Sequence, residues 1–417
     1  MTKPDSRVES LGKFTPAMAT ACIIVVVFIL TLNSGFYNLT TNDAFFSLTL
    51  ASTAIVFLQV RPWAEALHLA GTSCLLLVAQ TAVLKAPLGR WSALALLGLS
   101  SLGLLALRMS WSTGAVHRNL RYAFLPPLLF VLLGYAGSAP LQITGQLHPR
   151  TLDLNLYAFD ASLGPQLSFL VGQAVSRSRW LAHVSLFWYY ALPAVLMLVY
   201  AKQLVRSQNL AAIVFLAFFL LGPVGVIFYN LVPACGPVYL FGSNFPWHPM
   251  GIAEIRAMRI EPVAVSGARN AFPSLHMAWA LLTWWCSKEL SRPTKLVTLL
   301  FLAGTVLATL GLGEHYFVDL VAAFPLALMV EAASVVSIPL LDQRRLFPLL
   351  MGLLLTLGWV ALLRLAVGVV WWSPLIPWAM VAATILSCIV AQARLEKLIL
   401  SIGNASPKTG QHVLLPT

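Results

Sequence analysis

Charged residues are scarce in this sequence. Asp, Glu, Lys and Arg make up 10% of its 417 residues, whereas hydrophobic residues make up 59% and the mean hydropathy is +0.83. Because soluble globular domains carry about 25% charged residues, this composition excludes an ordinary soluble domain and predicts an integral membrane protein. Cysteine is scarce too, and four of the five cysteines fall within apolar runs, so no disulfide framework is expected.

What the sequence has in abundance is long, continuous apolar runs. Their lengths lie near the ~20 residues that a helix needs to cross a bilayer. We therefore predict an all-α fold, a polytopic membrane helical bundle of about 12 transmembrane helices. The predicted spans are 17–36, 44–60, 66–84, 91–109, 123–139, 180–201, 209–231, 273–287, 296–312, 316–338, 346–363 and 371–392.

The positive charge is unevenly distributed between the predicted loops. With the N-terminus inside, the inside segments hold 17 of the Lys and Arg residues and the outside segments hold 9. This excess places both termini in the cytoplasm by the positive-inside rule, so the net charge of +12 reflects topology and not a nucleic-acid partner.

The run 17–36 lacks a small-residue cleavage site and is expected to stay as an anchor. We expect a bacterial inner-membrane protein.

The connections between spans predict three segments. Residues 1–122 form a four-helix membrane segment, 123–340 a six-helix catalytic core, and 341–417 a C-terminal helical hairpin and tail.

Within the core, an outer loop at 140–179 has helical periodicity. Its apolar positions recur at a helical spacing, with Asp153 and Asp160 on another face, which predicts a helix lying flat at the membrane interface. The alternative is a polar loop with chance periodicity. The apolar positions are Leu152, Leu156, Phe159 and Leu163.

The first chemical motif is the segment 269–276, RNAFPSLH, where a polar loop turns into an apolar run. Pro273 suits the first turn of a helix, and a helix N-terminus attracts anions. Ser274 can donate a hydrogen bond to phosphate, and Arg269 can supply a bidentate charged contact. His276 then lies where it can give or take a proton.

The second motif is the segment 313–319, GEHYFVD. On a helix, the four-residue spacing of His315 and Asp319 puts both side chains on one face. The carboxylate would fix the imidazole tautomer and leave the other ring nitrogen as a nucleophile towards phosphorus. A phosphohistidine at His315, with His276 protonating the leaving oxygen, needs no metal and no cofactor.

Other interpretations of these residues stay open at this point. His276, His315 and Asp319 could instead bind a metal ion, although no further His, Cys or Glu cluster in the outer segments completes such a site. A histidine at a membrane interface also often serves only as a capping or hydrogen-bonding residue.

The two motifs resemble those of the type 2 phosphatidic acid phosphatase superfamily, over roughly residues 123–340. That resemblance implies a six-helix core in which His315 is the nucleophile, Asp319 its orienting acid and His276 the acid for the leaving group. It also implies that Ser274 contacts phosphate. The combination of PSLH at 273–276 with EHYFVD at 314–319 is similar to the branch containing fungal inositol phosphorylceramide synthase, and the upstream segment YNLVPA at 229–234 is similar to it too.

The sequence departs from the phosphatases of that superfamily in one informative place. They carry Ser-Arg six to seven residues before the nucleophile, where this sequence has Ala308 and Thr309. The branch named above lacks this pair and transfers a phospho-headgroup to a lipid hydroxyl. Arg269 is our candidate for the missing charge, and Asn230 and Tyr316 are further candidates for substrate binding.

Three functions follow from these observations. The first is a phosphotransferase that moves a headgroup such as inositol phosphate from a phospholipid donor to a lipid or sugar hydroxyl. The second is a lipid phosphate or polyprenyl diphosphate phosphatase, in which water replaces the acceptor. A non-catalytic lipid carrier or channel is the third, and it would not need a His–Asp pair beside a second histidine.

Overall fold

The computed structural model describes residues 38, 40, 42–60, 64–83 and 87–405. Over these residues every regular element is helical, and the only β-type pairing is an isolated antiparallel bridge between Thr151 and Val263. The predicted all-α fold is therefore confirmed. The predicted span 17–36 and the two chain termini lie outside the described residues.

The helices are numbered in chain order. The first nine are α1 Ala44–Val60, α2 Ala64–Val78, α3 Ser92–Trp111, α4 Gly114–Ala136, α5 Ser138–Leu147, α6 Asp153–Ser162, α7 Leu167–Arg177, α8 Arg179–Tyr190 and α9 Leu192–Arg206. They are followed by α10 Gln208–Leu231, α11 Pro237–Phe241, α12 Ile252–Ala257, α13 Leu275–Ser287, α14 Arg292–Gly311, α15 Phe317–Ser334, α16 Gln343–Leu365 and α17 Leu375–Ala405.

Seven of the described helices are long and apolar enough to cross a membrane, and an eighth span is added if the bent pair α8 and α9 counts as one. This is a multi-pass membrane protein. The predicted count of twelve stays a prediction, because the predicted span 17–36 lies outside the described residues. Three further predicted spans form helices of 17 residues or fewer. The helices α1, α2 and α13 have 17, 15 and 13 residues.

The bend between α8 and α9 measures 47°. It falls where Pro193 occupies the start of α9, because a proline there lacks the N–H that would continue the preceding helix. The predicted span 180–201 is thus two helices joined at Ala191.

The described residues divide into two compact units, one that ends at residue 131 and one that runs from residue 132 to residue 405. The predicted division at 122/123 and 340/341 stays a prediction.

In the first unit, α1 packs closely along α3 because Gly98 has no side chain to collide with the backbone of Leu50. The hydroxyls of Thr53 and Ser101 lie 2.5 Å apart across this contact, as is common where small residues let membrane helices approach.

In the second unit, α15 is the central helix. It packs against α10, α13, α16 and α17, and of its residues only Phe317, Phe324 and Ala333 are not buried. Its apolar sequence has no polar face, which is typical of a helix surrounded by protein. The N-terminus of α15 carries the second motif, so this central packing holds the motif in place.

The helix predicted within the loop 140–179 is present as α6, and that part of the prediction is confirmed. The prediction that it lies flat at the membrane interface is wrong, because all ten residues of α6 are buried. The polar face does not meet water. Instead, Asp153 and Asp160 accept hydrogen bonds from other segments of the same unit.

Candidate active site

His315 lies in the turn just before α15, with 4% of its surface exposed. Its Nδ1 is 2.9 Å from the carbonyl oxygen of Ala271 and 3.4 Å from Oδ2 of Asp319. Because both neighbours are oxygen acceptors, Nδ1 carries the proton and the lone pair lies on Nε2. This is the tautomer that a nucleophilic histidine requires.

Asp319 is held in turn by the first turn of α15. Its Oδ2 accepts a hydrogen bond of 2.8 Å from the backbone N–H of Tyr316, which closes a capping box at the helix N-terminus. Its surface is entirely buried. The carboxylate therefore has one fixed position from which it can orient the His315 ring.

Burial lowers the pKa of His315 from 6.5 to about 4, while the neighbouring Glu314 carboxylate and the hydrogen bond to the Ala271 carbonyl act in the opposite direction. The ring is therefore neutral at pH 7. A neutral imidazole with its lone pair on Nε2 can attack phosphorus without first losing a proton.

The second motif histidine, His276, lies beside the first, with the two ring centroids 6.5 Å apart. The His276 ring is stacked on Tyr189 at the end of α8, with centroids 4.1 Å apart and an interplanar angle of 24°. This stacking fixes the plane of the ring. No sequence pattern points to Tyr189, because nothing in its surroundings distinguishes it from the aromatic residues beside it.

The N-terminus of α13 differs from the prediction in one detail. Pro273 does not lie in the first turn, because the helix begins at Leu275 and Ser274 is its N-cap, accepting a hydrogen bond of 3.3 Å from the Met277 N–H. The backbone N–H of Ser274 also donates to the Asp319 carbonyl oxygen at 3.1 Å. This bond joins the starts of the two motif helices directly.

Asp160 of α6 holds the start of α15 from the other side. Its Oδ2 accepts the Phe317 N–H at 2.6 Å and its Oδ1 accepts the Val318 N–H at 3.0 Å. A carboxylate is favoured at this place, because the first N–H groups of a helix have no partner within the helix. Burial raises the pKa of Asp160, and the two N–H donors oppose that rise.

Asp153, seven residues earlier on α6, joins the same segment to the loop that follows α10. One of its oxygens, Oδ1, accepts the Tyr316 hydroxyl at 3.0 Å and the Gly236 N–H at 2.9 Å, and the Cys235 N–H lies 3.1 Å from Oδ2. The carboxylate therefore fixes two backbone segments at once, and it is fully buried while doing so.

Gly236 allows these two segments to meet. Its φ of 115° lies in the region that favours glycine, and a side chain there would collide with the backbone of Gly313 and Glu314. The role of Asp153 and Asp160 was missed, since their spacing was explained by the exposed face of a surface helix.

The four predicted substrate-binding residues lie in different surroundings. Ser274 and Tyr316 belong to the site described above, but the Tyr316 hydroxyl donates to Asp153. Arg269 is largely buried, and its guanidinium donates to the carbonyl oxygens of Gly267, His148 and Pro149.

Asn230, near the end of α10, is part of the same neighbourhood as Arg269. Its Oδ1 lies 3.2 Å from Nε2 of His148, and its amide donates to Thr144. These hydrogen bonds connect Asn230 and Arg269 through His148 and not through His276 or His315. Their contact with a substrate stays a prediction.

The two positions before the nucleophile that lack Ser-Arg are both within α14 and buried. The Thr309 hydroxyl donates to the Thr305 carbonyl oxygen at 2.8 Å, and the Thr309 carbonyl oxygen accepts the His315 N–H at 3.2 Å. Ala308 offers no polar group. The helix turn therefore supports His315 through its backbone and places no cation next to it.

Among the described residues, no group of three or more His, Cys, Asp and Glu side chains is arranged to hold a metal ion. Asp319 instead lies next to the His315 ring, whose Nδ1 faces the Asp319 carboxylate.

Within a membrane helical bundle, the described residues thus place a buried His–Asp pair beside a second histidine. Residues 154–333 match the family model of the PAP2 superfamily, whose members are phosphatases or phosphotransferases. The chain thus carries a PAP2-superfamily domain and is an enzyme of that type. Comparisons with curated proteins and with solved structures gave no match.

Proposed function

We propose that this protein is a membrane phosphotransferase that moves a phospho-headgroup, such as inositol phosphate, from a phospholipid to a lipid or sugar hydroxyl. The observation that carries the proposal is the orientation of His315, whose Nδ1 faces Ala271 and Asp319 so that Nε2 holds the lone pair. Together with His276 it provides a nucleophile and a proton carrier without a cofactor.

In the first half-reaction, Nε2 of His315 attacks the phosphorus of the donor phosphodiester. An N–P bond forms, the bond from phosphorus to the diacylglycerol oxygen breaks, and this oxygen takes up a proton from His276. Burial lowers the pKa of His276 to about 3, so this ring becomes protonated only when the negative charge of the bound phosphodiester raises its pKa. The positive charge that develops on the His315 ring is stabilised by Asp319, as the buried acid does in hydrolytic triads. The headgroup phosphate remains on His315.

In the second half-reaction, the acceptor hydroxyl attacks the same phosphorus. His276, now neutral, takes the hydroxyl proton, the N–P bond breaks and its electron pair returns to Nε2. Each histidine ends in its starting protonation state, so the cycle balances.

The charge around the site favours a phosphodiester over a phosphomonoester. A dianionic monoester needs more positive charge than a monoanionic diester, and positions 308 and 309 supply none. Arg269 donates most of its hydrogen bonds to loop carbonyl oxygens. A diester donor is what a headgroup transferase uses, and this agrees with the resemblance to the inositol phosphorylceramide synthase branch.

The charge distribution between the loops further supports a site that faces outward, with both termini in the cytoplasm of a bacterial cell. In that arrangement the donor and acceptor are both present in the outer leaflet or at its surface. Ser274, Asn230, Arg269 and Tyr316 remain our candidates for substrate binding.

The test is incubation of purified protein with glycerophospholipids labelled at phosphorus, with and without lipid or sugar acceptors. We expect a labelled phospholipid that appears only with acceptor, and a label on the protein that is stable in alkali but lost in acid, as for phosphohistidine. His315→Ala should abolish both. His183→Ala is the matched control, because His183 is exposed and bonds only within its own helix.

The second candidate function is a phosphatase of the same superfamily, supported by the shared first half-reaction. Free phosphate as the main product, independent of any acceptor, would establish the phosphatase and overturn the transferase. Undiminished turnover in His315→Ala would end both.

A further inference from the structure

Tyr189, near the end of α8, lies outside both motifs and nevertheless contacts the site. Its ring stacks on the His276 imidazole, with centroids 4.1 Å apart and an interplanar angle of 24°. The neighbouring Tyr190 ring meets Tyr189 edge-on, at 5.8 Å and 82°. Stacked and edge-to-face contacts are the preferred arrangements of aromatic rings, so these two contacts hold the Tyr189 ring in one orientation.

The end of α8 is fixed to α14 by the residue before Tyr189. Trp188 packs directly on the backbone of α14, because a side chain at Gly304 would collide with the indole. The Phe301 ring meets the same indole from α14, with centroids 6.3 Å apart. Since α14 also leads into the turn that carries His315, this one helix positions the nucleophile and, through Trp188, the ring that stacks on the second histidine.

The buried position of His276 makes its protonated form costly. Burial, and to a smaller extent the neighbouring His315, lower the pKa of His276 to about 3. The leaving oxygen nevertheless needs the proton that this ring carries. A cation within about 6 Å of an aromatic centroid is attracted by the negative π face, and more strongly where water is excluded. The stacking distance of 4.1 Å places a protonated His276 within that range of Tyr189.

We propose that Tyr189 is a positioning residue for the acid of the first half-reaction, whose ring fixes the His276 imidazole and stabilises it while it is protonated. This role rests on the proposed function, in which the His276 proton passes to the diacylglycerol oxygen as the P–O bond breaks. The π face carries the effect, because it is the face of the ring that stacks on His276. The Tyr189 hydroxyl exchanges no proton in this role.

The test compares two donors that differ in their need for this acid. Phosphatidylinositol has a diacylglycerol oxygen that must be protonated as it leaves. In para-nitrophenyl inositol phosphate, nitrophenolate leaves as a stable anion that keeps the electron pair of the P–O bond. If the transfer assay identifies another head group, both donors are made with it.

The readout is the rate of leaving-group release in a single turnover, which reports the first half-reaction alone. We expect Tyr189→Leu to slow release from phosphatidylinositol about ten-fold, because the π face no longer stabilises the protonated ring. Release from the nitrophenyl donor should keep the wild-type rate. The ratio of the two rates does not depend on the fraction of protein that is folded.

Three more variants separate the π face from the hydroxyl and from the fold. Tyr189→Phe retains the π face and should restore the wild-type ratio. Tyr189→para-cyanophenylalanine keeps an aromatic ring in place, so it tests the proposal if Tyr189→Leu does not fold. Its electron-poor π face should slow release from phosphatidylinositol about three-fold or more. Trp180→Leu is the matched control, because Trp180 lies on the same helix and is 71% exposed.

Three results would overturn the role of Tyr189. An equal loss on both donors would show that Tyr189 supports the fold or the nucleophile and not the acid. An unchanged rate on phosphatidylinositol in Tyr189→Leu would remove the role altogether. A loss in Tyr189→Phe as large as in Tyr189→Leu would assign the effect to the hydroxyl. Failure of the proposed function itself is distinguishable, because it appears as undiminished turnover in His315→Ala.

Discussion

Gly236 offers the sharpest test of how the nucleophile is positioned. It lies in the loop after α10, where its backbone N–H donates to Asp153 and its missing side chain lets the loop approach the segment that precedes His315. We expect Gly236→Ala to lower kcat while the protein remains folded, because the new methyl group must push Gly313 and Glu314 away.

The size of the effect has two parts. The φ of 115° at Gly236 is one that only glycine adopts readily, so alanine costs about 1–3 kcal/mol in backbone strain. The added Cβ would also lie 2.8 Å from the Glu314 carbonyl carbon and 2.9 Å from the Gly313 carbonyl oxygen. Relieving this overlap moves the segment by roughly 0.5–1 Å, and a misplacement of about 1 Å can cost 10²-fold in rate.

Gly164→Ala separates the two parts. Gly164 has a φ of 93° and no atom within 4 Å of the position of an added Cβ, so this variant carries backbone strain without the collision. Both variants should lose stability in thermal unfolding. Only Gly236→Ala should lose kcat, measured as headgroup transfer from a labelled phospholipid under saturating donor.

Two results would refute this reasoning. If Gly236→Ala retained the wild-type kcat, the close approach of the loop would have no part in placing His315. If Gly164→Ala lost kcat to the same degree, the loss would come from general destabilisation and not from the collision.

Three further predictions address the pH dependence and the two aspartates. Since burial lowers the pKa of His315 to about 4, kcat/KM should be lost as the pH falls through 4, where the nucleophile becomes protonated. Loss of kcat/KM already as the pH falls through 6.5 would contradict a buried nucleophile. Asp160→Asn should lower the free energy of unfolding by about 1.5–3 kcal/mol through the loss of one charge-assisted hydrogen bond. The control is Asp342→Asn at the exposed start of α16, which should cost little stability because Asn caps a helix as well as Asp. Equal unfolding temperatures for the two variants would refute this. Tyr316→Phe removes the donor to Asp153, so we expect a lower kcat with an unchanged KM, and a change in KM alone would instead identify Tyr316 as a substrate contact.

Much of the fold could be predicted from the sequence, because apolar run length is a direct physical requirement of the bilayer. The ends of the helices were less predictable, because capping decides them. Span 273–287 forms a helix of 13 residues, since Ser274 acts as N-cap and the chain turns after Ser287. Run length alone does not show where a cap ends a helix.

The arrangement of the site could be predicted only in part. The four-residue spacing of His315 and Asp319 indicated their contact, and the structure gives it as 3.4 Å. The stacking of Tyr189 on His276 joins residues far apart in the chain, and no local pattern reports such a contact. The sequence also placed Arg269 next to the motif without showing that loop carbonyl oxygens take up its donors.

The two aspartates of α6 explain how a short turn can hold a nucleophile in place. Their seven-residue spacing corresponds to two helix turns, so both carboxylates lie on one face of α6 and about 10 Å apart along it. One receives the Tyr316 hydroxyl and the other the Phe317 and Val318 N–H groups. Since these three groups belong to consecutive residues directly after His315, the turn has little freedom to rotate. The buried polar face of α6, which looks unfavourable for an interior helix, is therefore the rigid support that the nucleophile needs.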